Sequence, residues 1–223
     1  MAALRAFLRF CVVTGRMPYD LSGAVLTVTG RRRTSLPKGL DSQSCAALLS
    51  GCDRHRPNGQ RDYAILVTLL RLGLRASEVA VLALDDVDWR AAEIQVHGKG
   101  QRDDRLPLPA DVGDAIADYL KRGRPITTRR EVFLRTVAPI GPIGRGGVSS
   151  VVRLACVRAG IPPVGAHRLR HTAACQMVTS GVPLAEIGQV LRHRNSSSTA
   201  IYARVNVDQL RQLAQRWPGG EGR

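Results

Sequence analysis

Two histidines and two arginines crowd into His167-Arg168-Leu169-Arg170-His171, followed by Thr172. On a helix, residues three and four apart share a face, so His167, Arg170 and His171 can project together. Histidines four apart invite a zinc reading. However, the run lacks the glutamate of an HExxH site, and Arg170 between the rings would repel a cation. An anion fits better, because a guanidinium makes paired hydrogen bonds to phosphate oxygens. Upstream, Leu72-Gly73-Leu74-Arg75 sets an arginine just after a strongly apolar helix, where a charge needs a partner. Glu78 can be that partner, and a phosphate shared with Arg170 is the alternative. Lys99 sits between Gly98 and Gly100, and Leu191-Arg192-His193-Arg194 precedes a polar run leading to Tyr202. A tyrosine alone suggests core or interface, and only its relation to these arginines and histidines singles Tyr202 out.

Composition agrees with an anionic partner. The 223 residues carry 33 Lys+Arg against 18 Asp+Glu, a net charge of +15, which points to nucleic acid or another polyanion. Nearly all of this charge is arginine, which base composition of the genome also favours. Aromatic residues make up 4%, too few for recognition by stacking on single-stranded bases. Cys11, Cys45, Cys52, Cys156 and Cys175 lack CxxC spacing and suit reduced thiols in a cytoplasm, with no metal site expected. No stretch reaches the ~20 apolar residues of a membrane span. Arg5 and Arg9 interrupt the apolar start in a way a secretory signal would not.

The elements that must position these residues read as mainly α with a small antiparallel β-sheet, an α+β fold. Residues 1 to about 16 have helical spacing. An extended stretch follows, ending in Arg31-Arg32-Arg33 and Lys38 beside Pro37 and Gly39, either a solvated hinge or a strap along a phosphate backbone. Asp41 or Ser42 can cap the next helix, a highly apolar one spans about Arg61 to Leu72, Gly73 ends it, and Ser77-Glu78 opens a short one. Glu93 to His97 alternates, as does Arg105 to Leu108, giving a hairpin with Lys99 at its tip. Helices are expected over about 111–122, 147–159, 169–180 and 183–191, and from Ser198 onward. Val207, Leu210, Leu213 and Ala214 form an apolar strip after Tyr202, for packing within the domain or on a neighbouring subunit.

Taken together, Gly73-Leu74-Arg75 with Glu78, Gly98-Lys99-Gly100, His167 to Thr172, Leu191-Arg192-His193 and Tyr202 resemble the catalytic domain of the tyrosine recombinases, the phage-integrase family. The likeness covers roughly residues 36 to 216, in the family's order. It implies a catalytic domain over 36–216, a remnant of an N-terminal core-binding domain plus basic linker over 1–35, and a tail over 217–223. Complete members carry a helical DNA-gripping domain ahead of the catalytic one, and the first helix resembles only the last helix of such a domain. By the same resemblance, Tyr202 attacks the scissile phosphate to form a 3′-phosphotyrosyl link. Arg75, Arg170 and His193 stabilise the transition-state charge, Lys99 is the general acid, His167 assists as base, and Glu78 holds Arg75. Arg31, Arg32, Arg33, Lys38, Arg168, Arg192 and Arg194 are expected on the DNA backbone, with Arg192 standing where the family often has glycine.

The implied function is a DNA strand-transferase of site-specific recombination or integration, needing no cofactor. Its partner is double-stranded DNA, with self-association on DNA as far as a tetramer and a place in the cytoplasm on the nucleoid. A type IB topoisomerase is the neighbour in chemistry. The alternative from another class is a DNA-binding module without turnover, or an inactive recombinase remnant. A metal-dependent nuclease is disfavoured, because no carboxylate cluster lies near the histidines.

Overall fold

The computed structural model describes residues 2–25, 39–98 and 102–192, together with Thr199 and Tyr202. The chain divides into two compact units, residues 1–36 and 37–223. In the first, helix α1 (Ala2–Val13) is followed by a single 3-10 turn, Leu21–Gly23, whose N-cap Asp20 accepts from the Ser22 amide. Arg5 reaches past that turn to the Val25 carbonyl, 2.8 Å away.

The second unit is organised around α3 (Pro57–Leu72), whose residues Ala64 to Leu70 are all buried. Proline at the first helical position starts the helix without losing a hydrogen bond, so it begins four residues before Arg61. Packed around it are α2 (Ser42–Ser50, capped by Asp41), α5 (Ala110–Arg122), α6 (Gly144–Arg158) and α7 (Ala166–Thr179). Leu48, Ile65, Leu66, Leu69, Ile116, Val148, Val152 and Leu169 meet in one core. Each such aliphatic side chain contributes about 1.5–3 kcal/mol when fully removed from water. Among the described residues no helix is long and apolar enough to cross a membrane.

Gly73 ends α3 in the left-handed region, φ 58°, and a Cβ there would lie 2.6 Å from Leu191 Cδ2. Both the dihedral and the close approach demand glycine, and the turn delivers Arg75 to the start of α4 (Ala76–Val81).

The sheet is antiparallel with three strands in the order β1 (Val87–Asp88), β2 (Glu93–Gly98) and β3 (Arg102–Pro107). In register, Ile94 faces Leu106 and His97 faces Asp103. Ile94, Val96 and Leu106 point into the core, as the alternation requires. The expected hairpin is present, and β1 adds a third strand that sequence spacing does not reveal. Helix α6 begins at Gly144 rather than Gly147, and α7 at Ala166 rather than Leu169. The His167–His171 run therefore lies wholly within the first turns of α7. Helix α8 (Leu184–Val190) follows Pro183. The helix expected from Ser198 and the strip from Val207 fall outside the described residues, apart from Thr199 and Tyr202.

Candidate active site

Arg75 is the N-cap of α4, and Glu78 is the third helical residue after it. Glu78 accepts from the Arg75 backbone amide through Oε2 at 2.7 Å and from Arg75 Nη1 through Oε1 at 2.6 Å. One buried carboxylate thus fixes both the backbone and the side chain of Arg75. The Arg75 side chain is 41% exposed, whereas its neighbours Leu72 and Leu74 enter the core. Burial pushes the Glu78 carboxyl up, but the Arg75 amide, the Arg192 charge and the Arg75 guanidinium outweigh it and hold the group below its ordinary value.

Arg170, on α7, is 2% exposed. It donates through Nη1 to the Gly73 carbonyl at 2.6 Å and through Nη2 to the Leu191 carbonyl. The guanidinium therefore staples the end of α3 to the end of α8. Burial, and then the Arg75 charge, lower its pKa to about 10, which leaves it cationic at neutral pH. The same two arginines act on His167. Loss of water around the ring, then Arg170 and Arg75, hold its pKa below the ordinary 6.5 and so favour the neutral imidazole.

Tyr202 is 1% exposed and packs in a small second core with Ala174, Val178, Ile187 and Leu191. Its hydroxyl is hydrogen-bonded to His171 Nδ1 at 2.5 Å. The His167 ring meets the His171 ring edge-on, with centroids 4.3 Å apart. Burial first, then the neighbouring Cys175, raise the phenol to about 12, against the lowering effect of Arg170. The structure thus gathers Tyr202, His171, His167, Arg170, Arg75 and Glu78 into one polar cluster at the ends of α3, α7 and α8. His171 belongs to that cluster by its contact with the tyrosine, although only its helical spacing with His167 and Arg170 marks it in the sequence.

Arg192 does not stand where a backbone-contacting cation should. Its side chain is 7% exposed, with Nη2 on Glu78 Oε2 at 2.6 Å. Arg168, by contrast, is only half-buried on α7. Lys99, His193, Arg31, Arg32, Arg33, Lys38 and Arg194 lie outside the described residues.

The β2–β3 hairpin is fastened near the loop end of its strands. His97 bridges two carboxylates, with Nδ1 at 2.7 Å from Asp103 on β3 and Nε2 at 2.8 Å from Asp86 before β1. Hydrogen bonds to Asp103 and then Asp86 raise the His97 pKa above 6.5, so the bridge is strongest with the imidazolium. A raised histidine contributes stability that is complete below its unfolded value and is lost as pH rises through the folded one. Amide exchange in β2 and β3, corrected for intrinsic rates, should therefore accelerate as pH climbs past the His97 transition, and His97→Gln should remove that step. Protection that stays flat through the titration of the ring would refute the clasp.

A mainly helical domain with a three-stranded antiparallel sheet, arginines at two helix ends and a buried tyrosine beside them defines the catalytic-domain fold of tyrosine recombinases. A solved Tn1549 transposon integrase, in complex with a circular intermediate DNA, superposes with a TM-score of 0.72 at 17% identity, covering 96% of this chain and 77% of that one. Residues 38–209 match the model of the phage integrase family. The chain is 33% identical to tyrosine recombinase XerD of Mycobacterium tuberculosis over 100% of its own length and 73% of XerD. It is 50% identical to the integrase/recombinase-type protein y4rA of Sinorhizobium fredii over 97% of its own length, and spans about half, 54%, of that relative. The chain belongs to the phage integrase family, the tyrosine recombinases.

Proposed function

We propose that the chain breaks and rejoins double-stranded DNA in site-specific recombination or integration, through a 3′-phosphotyrosyl link to Tyr202. The observation that carries this reading is the Tyr202 hydroxyl, held on His171 Nδ1 at 2.5 Å within the electrostatic reach of Arg170. Family membership supports it, since relatives are named recombinases and a neighbour in fold was solved on DNA.

In the proposed reaction the phenol oxygen attacks phosphorus and the phosphate bond to the 5′ oxygen breaks, so one phosphodiester is exchanged for another. Bond energy is retained and no nucleotide is consumed. Arg75 and Arg170 stabilise charge on the non-bridging oxygens, and fixed donors do this without reorganising. The phenol proton passes to a histidine. The family resemblance favours His167 for that role, whereas the contact geometry favours His171, with His167 edge-on to it. Lys99 and His193 complete the set as general acid and further donor. Arg31, Arg32, Arg33, Lys38, Arg168 and Arg194 bind the DNA backbone. Residues 36–216 form the catalytic domain, residues 1–35 a core-binding segment with its linker, and 217–223 a tail. Self-association on DNA, to a tetramer, accompanies the reaction at the nucleoid.

The direct test offers nicked duplex DNA that cannot be religated and looks for an SDS-resistant protein–DNA adduct. Adduct that forms equally with and without EDTA is the expected result. Cleavage lost under EDTA would instead indicate metal-dependent chemistry, and DNA binding with no adduct on any duplex would favour a binding module.

A further inference from the structure

The residue before His193 is arginine, and the structure gives it a place unlike that of a surface cation. Arg192 adopts φ 54°, a left-handed conformation that a side chain disfavours and glycine accepts readily. Its side chain is nonetheless turned inward, and the contacts it makes compensate for that backbone strain. Nη2 donates to Glu78 Oε2 at 2.6 Å and Nη1 to the Val190 carbonyl at 3.1 Å. Its own carbonyl accepts from Arg75 Nη2 at 3.2 Å. Its Nε, buried and without a hydrogen-bond partner among the described residues, lies 3.9 Å from Asp104 Oδ2 on β3.

Arg75 is thereby held on two sides by one residue. The Arg192 carbonyl takes one of its terminal nitrogens, and Glu78, itself held by the Arg192 side chain, takes the other. The Glu78 carboxylate is shared, Oε1 to Arg75 and Oε2 to both the Arg75 amide and Arg192. The Arg75 amide and guanidinium take one oxygen each, and Arg192 adds a second, charge-assisted donor to Oε2 from the opposite end of the chain. The contact toward Asp104 reaches the β2–β3 hairpin.

We propose that Arg192 is a positioning residue: through Glu78 and its own carbonyl it sets the hand of Arg75, and through Asp104 it couples that arginine to the hairpin. It is not a phosphate contact. This rests on the strand-transfer reading for its effect on rate, but the contact itself does not.

Three measurements on the full chain test it, with Arg192→Gly and Arg192→Lys. Glycine suits φ 54° and should fold, while lysine keeps the charge and one donor. In Arg192→Gly, adduct formation at saturating nicked DNA should slow by about 10–100-fold, the scale set by misplacing a reacting group by about an ångström. Arg192→Lys should recover part of that loss. The slope of log Kd against log salt should stay at the wild-type value, since no phosphate contact is removed. Without DNA, exchange of the Arg75 amide, which donates to Glu78, should speed up by about tenfold as the carboxylate loosens. A slope shallower by about 0.9 with an unchanged rate at saturation would identify a phosphate contact and overturn the proposal. No change in rate or in exchange would overturn it equally. If wild type forms no adduct the strand-transfer reading fails, and the Arg75 amide then decides the positioning contact on its own.

Discussion

Tyr202→Phe is expected to form no covalent adduct with nicked DNA, at any concentration or pH, while folding as the wild type does. The phenyl ring keeps the packing against Ala174, Val178, Ile187 and Leu191, and only the hydroxyl on His171 is lost. One neutral hydrogen bond is worth about 1 kcal/mol, so the melting temperature should move by a few degrees at most. A tyrosine that merely fills the core would show the same small stability change with the adduct retained. The buried phenol also dictates how the proton leaves. At about 12, its ionisation before attack at pH 7 would cost about 7 kcal/mol, at 1.36 kcal/mol for each unit. Transfer during attack to a neutral histidine avoids that cost. Adduct found on Tyr202→Phe, or mapped by mass spectrometry to another residue, would end the assignment.

Much of this site is legible in the sequence because its parts are local. The Gly73 turn, the Arg75–Glu78 spacing and the helical face of His167, Arg170 and His171 each span fewer than six residues, and local backbone geometry decides them. The Asp41 cap and the alternating strands β2 and β3 are readable for the same reason. What is not legible is long-range or too short. Strand β1 holds two residues, too few for alternation to appear, and is recruited by pairing with Ile94 and Glu93. Glycines at 144, 146 and 147 obscure the start of α6, where burial of Val148 and Val151 overrides weak propensity. Arg192 reads as a surface cation because charged residues are seldom buried; its partner Glu78 lies 114 positions away. The helical face marks His171, but its contact with Tyr202, 31 positions on, has no local signal.

The second large effect is expected at Arg170, where structure and chemistry depend on one guanidinium. A cation at 2% exposure is costly, and the fall of its pKa from 12.5 to about 10 puts that cost near 3 kcal/mol, at 1.36 kcal/mol for each unit. A structural staple alone would not need a charge. Two carbonyls could be satisfied by a neutral amide, which would escape both the desolvation and the repulsion from Arg75 and Arg192. A cation retained under those penalties is suited to stabilising an anion that arrives later, and Arg75 beside it suits the same task. Arg170→Lys should therefore fold, since an ammonium can reach one of the two carbonyls. Its single-turnover cleavage should nevertheless fall by about 100–1000-fold, the loss typical of removing a fixed donor from a transition-state anion. Arg170→Ala leaves the Gly73 and Leu191 carbonyls without that donor, and should lose about 2–4 kcal/mol of stability, partly offset by relief of repulsion. Melting curves separate the two roles: lysine should lower the cleavage rate far more than the melting temperature, and alanine should lower both. Cleavage by Arg170→Lys within a few fold of wild type would mean that the staple, and not the charge, is what this position supplies.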